Sequence, residues 1–194
     1  MFKKTLLAVI AASAFSGAVF NASAADQGHG KITFQGIVIT APCSIVPGDE
    51  DQTINLGQVA DKVLNGDSKS RPVDVNIRLQ DCVLTTGGTT IDKVKVTFSS
   101  ANADSSTNLL KNTEDGFYGS ATGVGVRLLT QSGANVVMGT EQLVNLVADN
   151  SNQVLTFKAR MEAVATPGAV TPGNVKSDVN YEIGRHTSEL QSLF

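Results

Sequence analysis

The chain has 194 residues, 41% of them hydrophobic and 17% charged, with 18 glycines and no tryptophan. That balance excludes a disordered chain and a polytopic membrane protein. A net charge of −3 offers no basic field for nucleic acid, and two histidines with two cysteines argue against a rich metal site.

Residues 1–24 read as a secretory signal peptide. Lys3 and Lys4 form a positive start, and residues 6–20 form an apolar run too short for the roughly 20 residues that span a bilayer. Ala22-Ser23-Ala24 is a small-residue cleavage site. The expected product is exported and begins at Ala25.

Residues 25–36 follow as an extension. In an extended strand, Gly28, Gly30, Ile32 and Phe34 share one face, while Gln27, His29, Lys31 and Thr33 share the other. Two small residues followed by two bulky ones make a shaped face. It suits a groove that narrows at one point, or the first strand of the chain's own sheet. Composition does not separate the two.

Export gives Cys43 and Cys82 a structural meaning, because an oxidising compartment favours their union. Closing that loop is worth roughly 4 kcal/mol in the chain-entropy model. A catalytic thiol would need a nearby base, and His29 and His186 both lie near the chain ends. Asp49-Glu50-Asp51 reads as a solvated turn rather than a calcium corner, since the ligand spacing of a calcium loop is missing.

Period-two alternation dominates the rest. It runs through Val73, Val75, Ile77 and Leu79, then Val94, Val96 and Phe98, then Val124, Val126 and Leu128. It continues in Leu155, Phe157, Ala159 and Met161, and again in Val175, Ser177, Val179, Tyr181 and Ile183. Each run is a strand with its apolar side inward and its polar side out. Turn signals separate the runs, among them Pro47-Gly48-Asp49, Asn65-Gly66-Asp67 and Ser132-Gly133. Leu109-Leu110 and residues 142–147 fit either a short helix or a further strand. The pattern predicts an all-β, antiparallel sandwich. No enzyme emerges, because no triad, phosphate loop or cofactor motif is present in the sequence.

The residues around the cysteines carry a resemblance. Gly30-Lys31-Ile32-Thr33-Phe34-Gln35-Gly36 precedes Ala41-Pro42-Cys43-Ser44-Ile45, and an alternating strand ends in Leu79-Gln80-Asp81-Cys82. This resembles the major shaft subunits of chaperone–usher fimbriae, of the P-pilus and type 1 kinds. The resemblance implies an incomplete immunoglobulin-like sandwich, over residues 37–186, that lacks its last strand. A neighbour would complete it with a donor strand, here Gly28, Gly30, Ile32 and Phe34. Gly28 or Gly30 would sit at the tight point of the groove. Val175, Val179, Tyr181 and Ile183 would form the groove-edge strand, which a periplasmic chaperone grips before the outer-membrane usher. The implied partners are copies of the chain itself in a head-to-tail filament, that chaperone and that usher, with no cofactor and no nucleic acid. The implied location is a surface fimbrium supporting adhesion.

One segment departs from the pattern. After Asn180-Tyr181-Glu182-Ile183, Gly184-Arg185-His186 stands where the family has a T-Y-Q ending, and residues 187–194 follow as an atypical tail. A read-through, a frameshift or a natural variant would each give such a tail; by the resemblance, a tail kept in the mature subunit would displace the terminal carboxylate that the chaperone anchors. The alternatives are a secreted β-sandwich carbohydrate-binding module and a minor or tip adhesin. The first commonly uses exposed aromatic platforms, and the sequence has no tryptophan and only Tyr118 and Tyr181; the expected 170-residue mature chain has no room for the extra lectin domain of the second.

Overall fold

Alternation becomes strands wherever one face finds an apolar partner. The computed structural model describes residues 30–39, 41–86, 88–165 and 169–185. The signal segment 1–24, Gly28, both histidines and the tail 187–194 lie outside the described residues. The chain divides into two units, one up to Val38 and one from Ile39 onward. In the first unit, residues 30–38 are exposed throughout and carry no helix or strand.

The second unit contains ten strands and one helix among its described residues. In chain order they are β1 (Ser44–Ile45), α1 (Asp61–Asp67), β2 (Val73–Gln80), β3 (Thr85–Thr86), β4 (Thr89–Thr90) and β5 (Lys93–Ser99). Then come β6 (Leu110–Lys111), β7 (Val124–Thr130), β8 (Glu141–Asn145), β9 (Gln153–Ala163) and β10 (Asn180–Arg185). A five-stranded sheet has the order β1-β2-β9-β7-β6, and a three-stranded sheet the order β10-β5-β8. β3 and β4 make a separate small hairpin. Every pairing between these named strands is antiparallel. The structure is the all-β sandwich that the alternation predicts.

The core lies between the sheets. Ile77, Leu79, Leu128, Leu155 and Phe157 come from the larger sheet, and Val94, Val96 and Phe98 from the smaller. Phe98 and Phe157 meet edge to face with centroids 4.8 Å apart, a favoured aromatic geometry. The ambiguous stretches resolve as strands: residues 142–147 supply most of β8, and Leu110 begins β6. The disulfide joins Cys43 to Cys82, tying the start of β1 to the end of β2.

Three local readings of the sequence need correction. Asn65-Gly66-Asp67, read as a turn, forms the last turn of α1, which ends at Ser68 in a left-handed conformation. Seven residues are too few for a stable isolated helix. Tertiary packing holds this one, through Leu64 buried against Ala121, Val124 and Val170. Second, β7 is buried on both faces through Leu129, so Arg127 does not point into water. It is 5% exposed and donates to Glu162 and to the carbonyl of Thr107. Third, Asp49 is 3% exposed rather than solvated, for a reason given below.

Candidate functional site: a cleft between the sheets

Val75 and Ile77 of β2, Val126 and Leu128 of β7, and Ala159 and Met161 of β9 all turn inward. They form the floor of a cleft of about 1400 Å3. One wall is built by residues 50–61 and the other by residues 170–181. Ile54, Leu56, Val175, Val179 and Tyr181 line these walls and are only half-buried, so apolar surface remains open to solvent.

The wall at residues 174–179 has two unequal sides. In an extended chain, the N–H and C=O of one residue point to one side, and those of the next residue to the other. The backbone of Asn174 bonds Gly119 and Ala121, and that of Lys176 bonds Thr113 and Asn112. The carbonyl of Asp178 accepts from Ser100 Oγ at 2.7 Å. Among the described residues, no backbone hydrogen bond is made by Val175, Ser177 or Val179. The satisfied groups thus face the protein, and the alternate set faces away from it. β10 continues this line as the edge strand of its sheet. An unpaired edge beside an apolar trough is a template for a further strand.

Asn112 builds that asymmetry. It is 6% exposed, and its side-chain amide makes four hydrogen bonds. Nδ2 donates to the carbonyls of Ala121 and Asn174, while Oδ1 accepts from the amides of Glu114 and Lys176. One side chain therefore replaces a missing strand partner on the inner side. Nothing in the alternation of the sequence marked it.

The cleft is tied at both ends. At one, Asn65 Nδ2 donates to the carbonyl of Val170, and Asn65 Oδ1 accepts its amide. At the other, the Tyr181 hydroxyl donates to the carbonyl of Asp49 at 2.7 Å. Asp49 is itself fixed by Arg78, whose amide and guanidinium donate to its carboxylate. Those hydrogen bonds from Arg78 hold the Asp49 carboxyl below its ordinary range, against the cost of burial. Burial, then the nearby Asp49 and Glu50 carboxylates, push the Tyr181 hydroxyl up. Among the described residues no group of three or more His, Cys, Asp or Glu side chains is placed to hold a metal.

The residues singled out in the sequence fall as follows. Val175, Val179 and Tyr181 line the cleft, while Ile183 pairs with Val96 further along β10 and packs on the core. Gly30 is exposed, as are Ile32 (78%) and Phe34 (89%), large apolar side chains in water. Cys43 is buried just before β1, joined to Cys82 by the disulfide. Ile54 and Leu56 were missed, although they alternate in Thr53-Ile54-Asn55-Leu56. Their run was too short and too polar to mark a wall.

The family model described as "Fimbrial protein" matches residues 32–184. The uncharacterized fimbrial-like protein YgiL of Escherichia coli (strain K12) is 50% identical over 183 residues, covering 94% of this chain and 97% of its own. Among solved structures, a chaperone–usher pilus gives a TM-score of 0.66 at 28% identity, covering 82% of this chain and 97% of that one. The P pilus rod subunit PapA gives 0.59 at 25% identity, covering 75% and 100%. The matched span holds the cleft, its walls and both cysteines, and the chain belongs to the fimbrial protein family.

Proposed function

We propose that this chain is a structural subunit of a surface fimbria, and that its cleft accepts the extension of a second copy as a donor strand. The carrying observation is the open edge at Val175, Ser177 and Val179 above an apolar trough. The same chain holds an unburied apolar face in Gly30, Ile32 and Phe34. One copy has what the other lacks.

The physics is strand addition. Backbone hydrogen bonds supply affinity, and alternate side chains supply register. Burying Ile32 and Phe34 would contribute about 1.5–3 kcal/mol each. Gly28 or Gly30 would sit at the narrow point of the cleft, where any larger residue would clash. Donor and acceptor are different surfaces, so the contact does not close on itself and generates an open filament. The reading divides the chain into a signal peptide (1–24), a donor extension (25–36), a pilin domain (37–186) and a tail (187–194). It also implies a periplasmic chaperone that covers the cleft during export, and an outer-membrane usher at which the donor replaces it. The driving free energy is the exchange of one strand for a better-fitting one, with no nucleotide.

Deleting residues 25–36 tests the reading. The shortened subunit should still bind its chaperone and should fail to add to the next subunit. Filaments of normal length from the deletion would refute the donor role.

A further inference from the structure

The loop at residues 114–119 carries two large side chains in full contact with water. Phe117 is 70% exposed and Tyr118 108%. The loop is nevertheless fixed. The Phe117 amide donates to the Glu114 carbonyl, and both the amide and hydroxyl of Ser120 donate to the Phe117 carbonyl. It is also joined to the cleft wall, because Gly119 accepts the amide of Asn174. At Gly173 the approach of the Ser120–Ala121 backbone leaves no room for a Cβ. A rigid aromatic pair thus stands at the end of the cleft where the open edge begins.

We propose that Phe117 and Tyr118 form a second contact between copies, receiving Ile37 and Val38 of the donor subunit. This rests on the reading of the cleft as a donor-strand acceptor. Antiparallel pairing is the more stable of the two directions. Laid antiparallel to the edge at Val175, Ser177 and Val179, the donor brings its Phe34 end to the Asn174 end of the cleft. Three and four residues on, about 10 to 13 Å along an extended chain, the donor presents Ile37 and Val38. These are 90% and 100% exposed in the free chain. Apolar surface on the donor then meets apolar surface on the acceptor just outside the cleft, continuous with the strand contact. The occupant is a second copy of this chain.

The test is a double-mutant cycle. Fluorescent peptides of residues 27–40, native or with Ile37→Ser and Val38→Ser, are titrated against two acceptors. One is the full-length chain with Phe34→Asp, which silences its own donor face. The other adds Phe117→Ser and Tyr118→Ser, both at exposed positions. The native peptide should bind roughly tenfold tighter than the serine peptide to the first acceptor. That advantage should fall to about twofold or less on the second. Equal affinities on the first acceptor, or an undiminished advantage on the second, overturn the contact and leave the cleft reading standing. If neither peptide binds, the cleft reading fails and the contact with it. A second measurement uses filaments. Copies with Val38→Cys should form disulfide links to copies with Tyr118→Cys. Links to Glu182→Cys copies instead would mean the opposite strand direction and overturn the proposal.

Discussion

Tyr181 and Asp49 stand 132 residues apart in the chain, yet the hydroxyl of one donates to the backbone carbonyl of the other at 2.7 Å. This bond fastens the cleft wall that leads into β10 to the turn from which the opposite wall departs. The Tyr181 ring also lies 6.4 Å from that of Phe98, so its anchoring is both apolar and polar. Tyr181→Phe keeps the ring and removes the tie. It should lower unfolding stability by about 1 to 2 kcal/mol, measured by urea denaturation. An unchanged midpoint would mean that the bond contributes nothing.

Acid should loosen the same end of the cleft. The hydrogen bonds from Arg78 depress the Asp49 carboxyl in the folded state. Its contribution to stability is therefore present above the ordinary carboxylate range near pH 3.9 and is lost as pH falls through the depressed folded value. Glu162 acts in the same sense: burial opposes its charge, and the hydrogen bonds from Arg127 and Arg160 outweigh that. Stability should be nearly flat from pH 7 to about 5 and fall below about 4. Asp49→Asn should make the acid limb shallower. The change should be modest, because the Arg78 side chain is 59% exposed and the pair is partly screened. An identical pH profile for Asp49→Asn would contradict the assignment.

Asn112 holds the cleft wall from behind through four side-chain hydrogen bonds. Asn112→Leu keeps the branched shape of the side chain but leaves the Lys176 and Glu114 amides and the Asn174 and Ala121 carbonyls without the partner they now have. A loss of roughly 3 kcal/mol is expected, with weaker capture of a donor peptide. Full stability in Asn112→Leu would show that water replaces the amide without cost.

Gly30→Leu separates the free chain from the filament. In the free chain nothing lies within 4 Å of a Cβ placed at Gly30. The substitution should therefore leave the subunit's stability unchanged and slow its insertion into a neighbour. Unchanged insertion kinetics would exclude Gly30 as the tight point and leave Gly28.

What the sequence revealed, and what it hid, follows from how each residue is held. Alternation such as Val94, Val96 and Phe98 announces a strand because one face is buried and the other wet, and β5 has that pattern. β7 breaks the rule: the Thr107 loop covers its outer side, so Arg127 is buried by residues distant in sequence. α1 was invisible for the same reason, since Leu64 is held by Val170 and not by its own helix. The alternation from Val175 to Ile183 was plain, but it could not show that only the stretch from Asn180 onward finds a strand partner. Pairing is a property of the neighbour. The exposed face of Ile32 and Phe34 was likewise visible as a pattern, while its freedom from burial was not.

Hydrogen exchange at the amides of Val175, Ser177 and Val179 tests the central claim most directly. In the subunit lacking residues 25–36 these amides should exchange at close to the open-chain rate, and in assembled filaments they should slow by at least about 100-fold. Equal exchange at all three in the two states would mean that no strand is added there, and the account would fall.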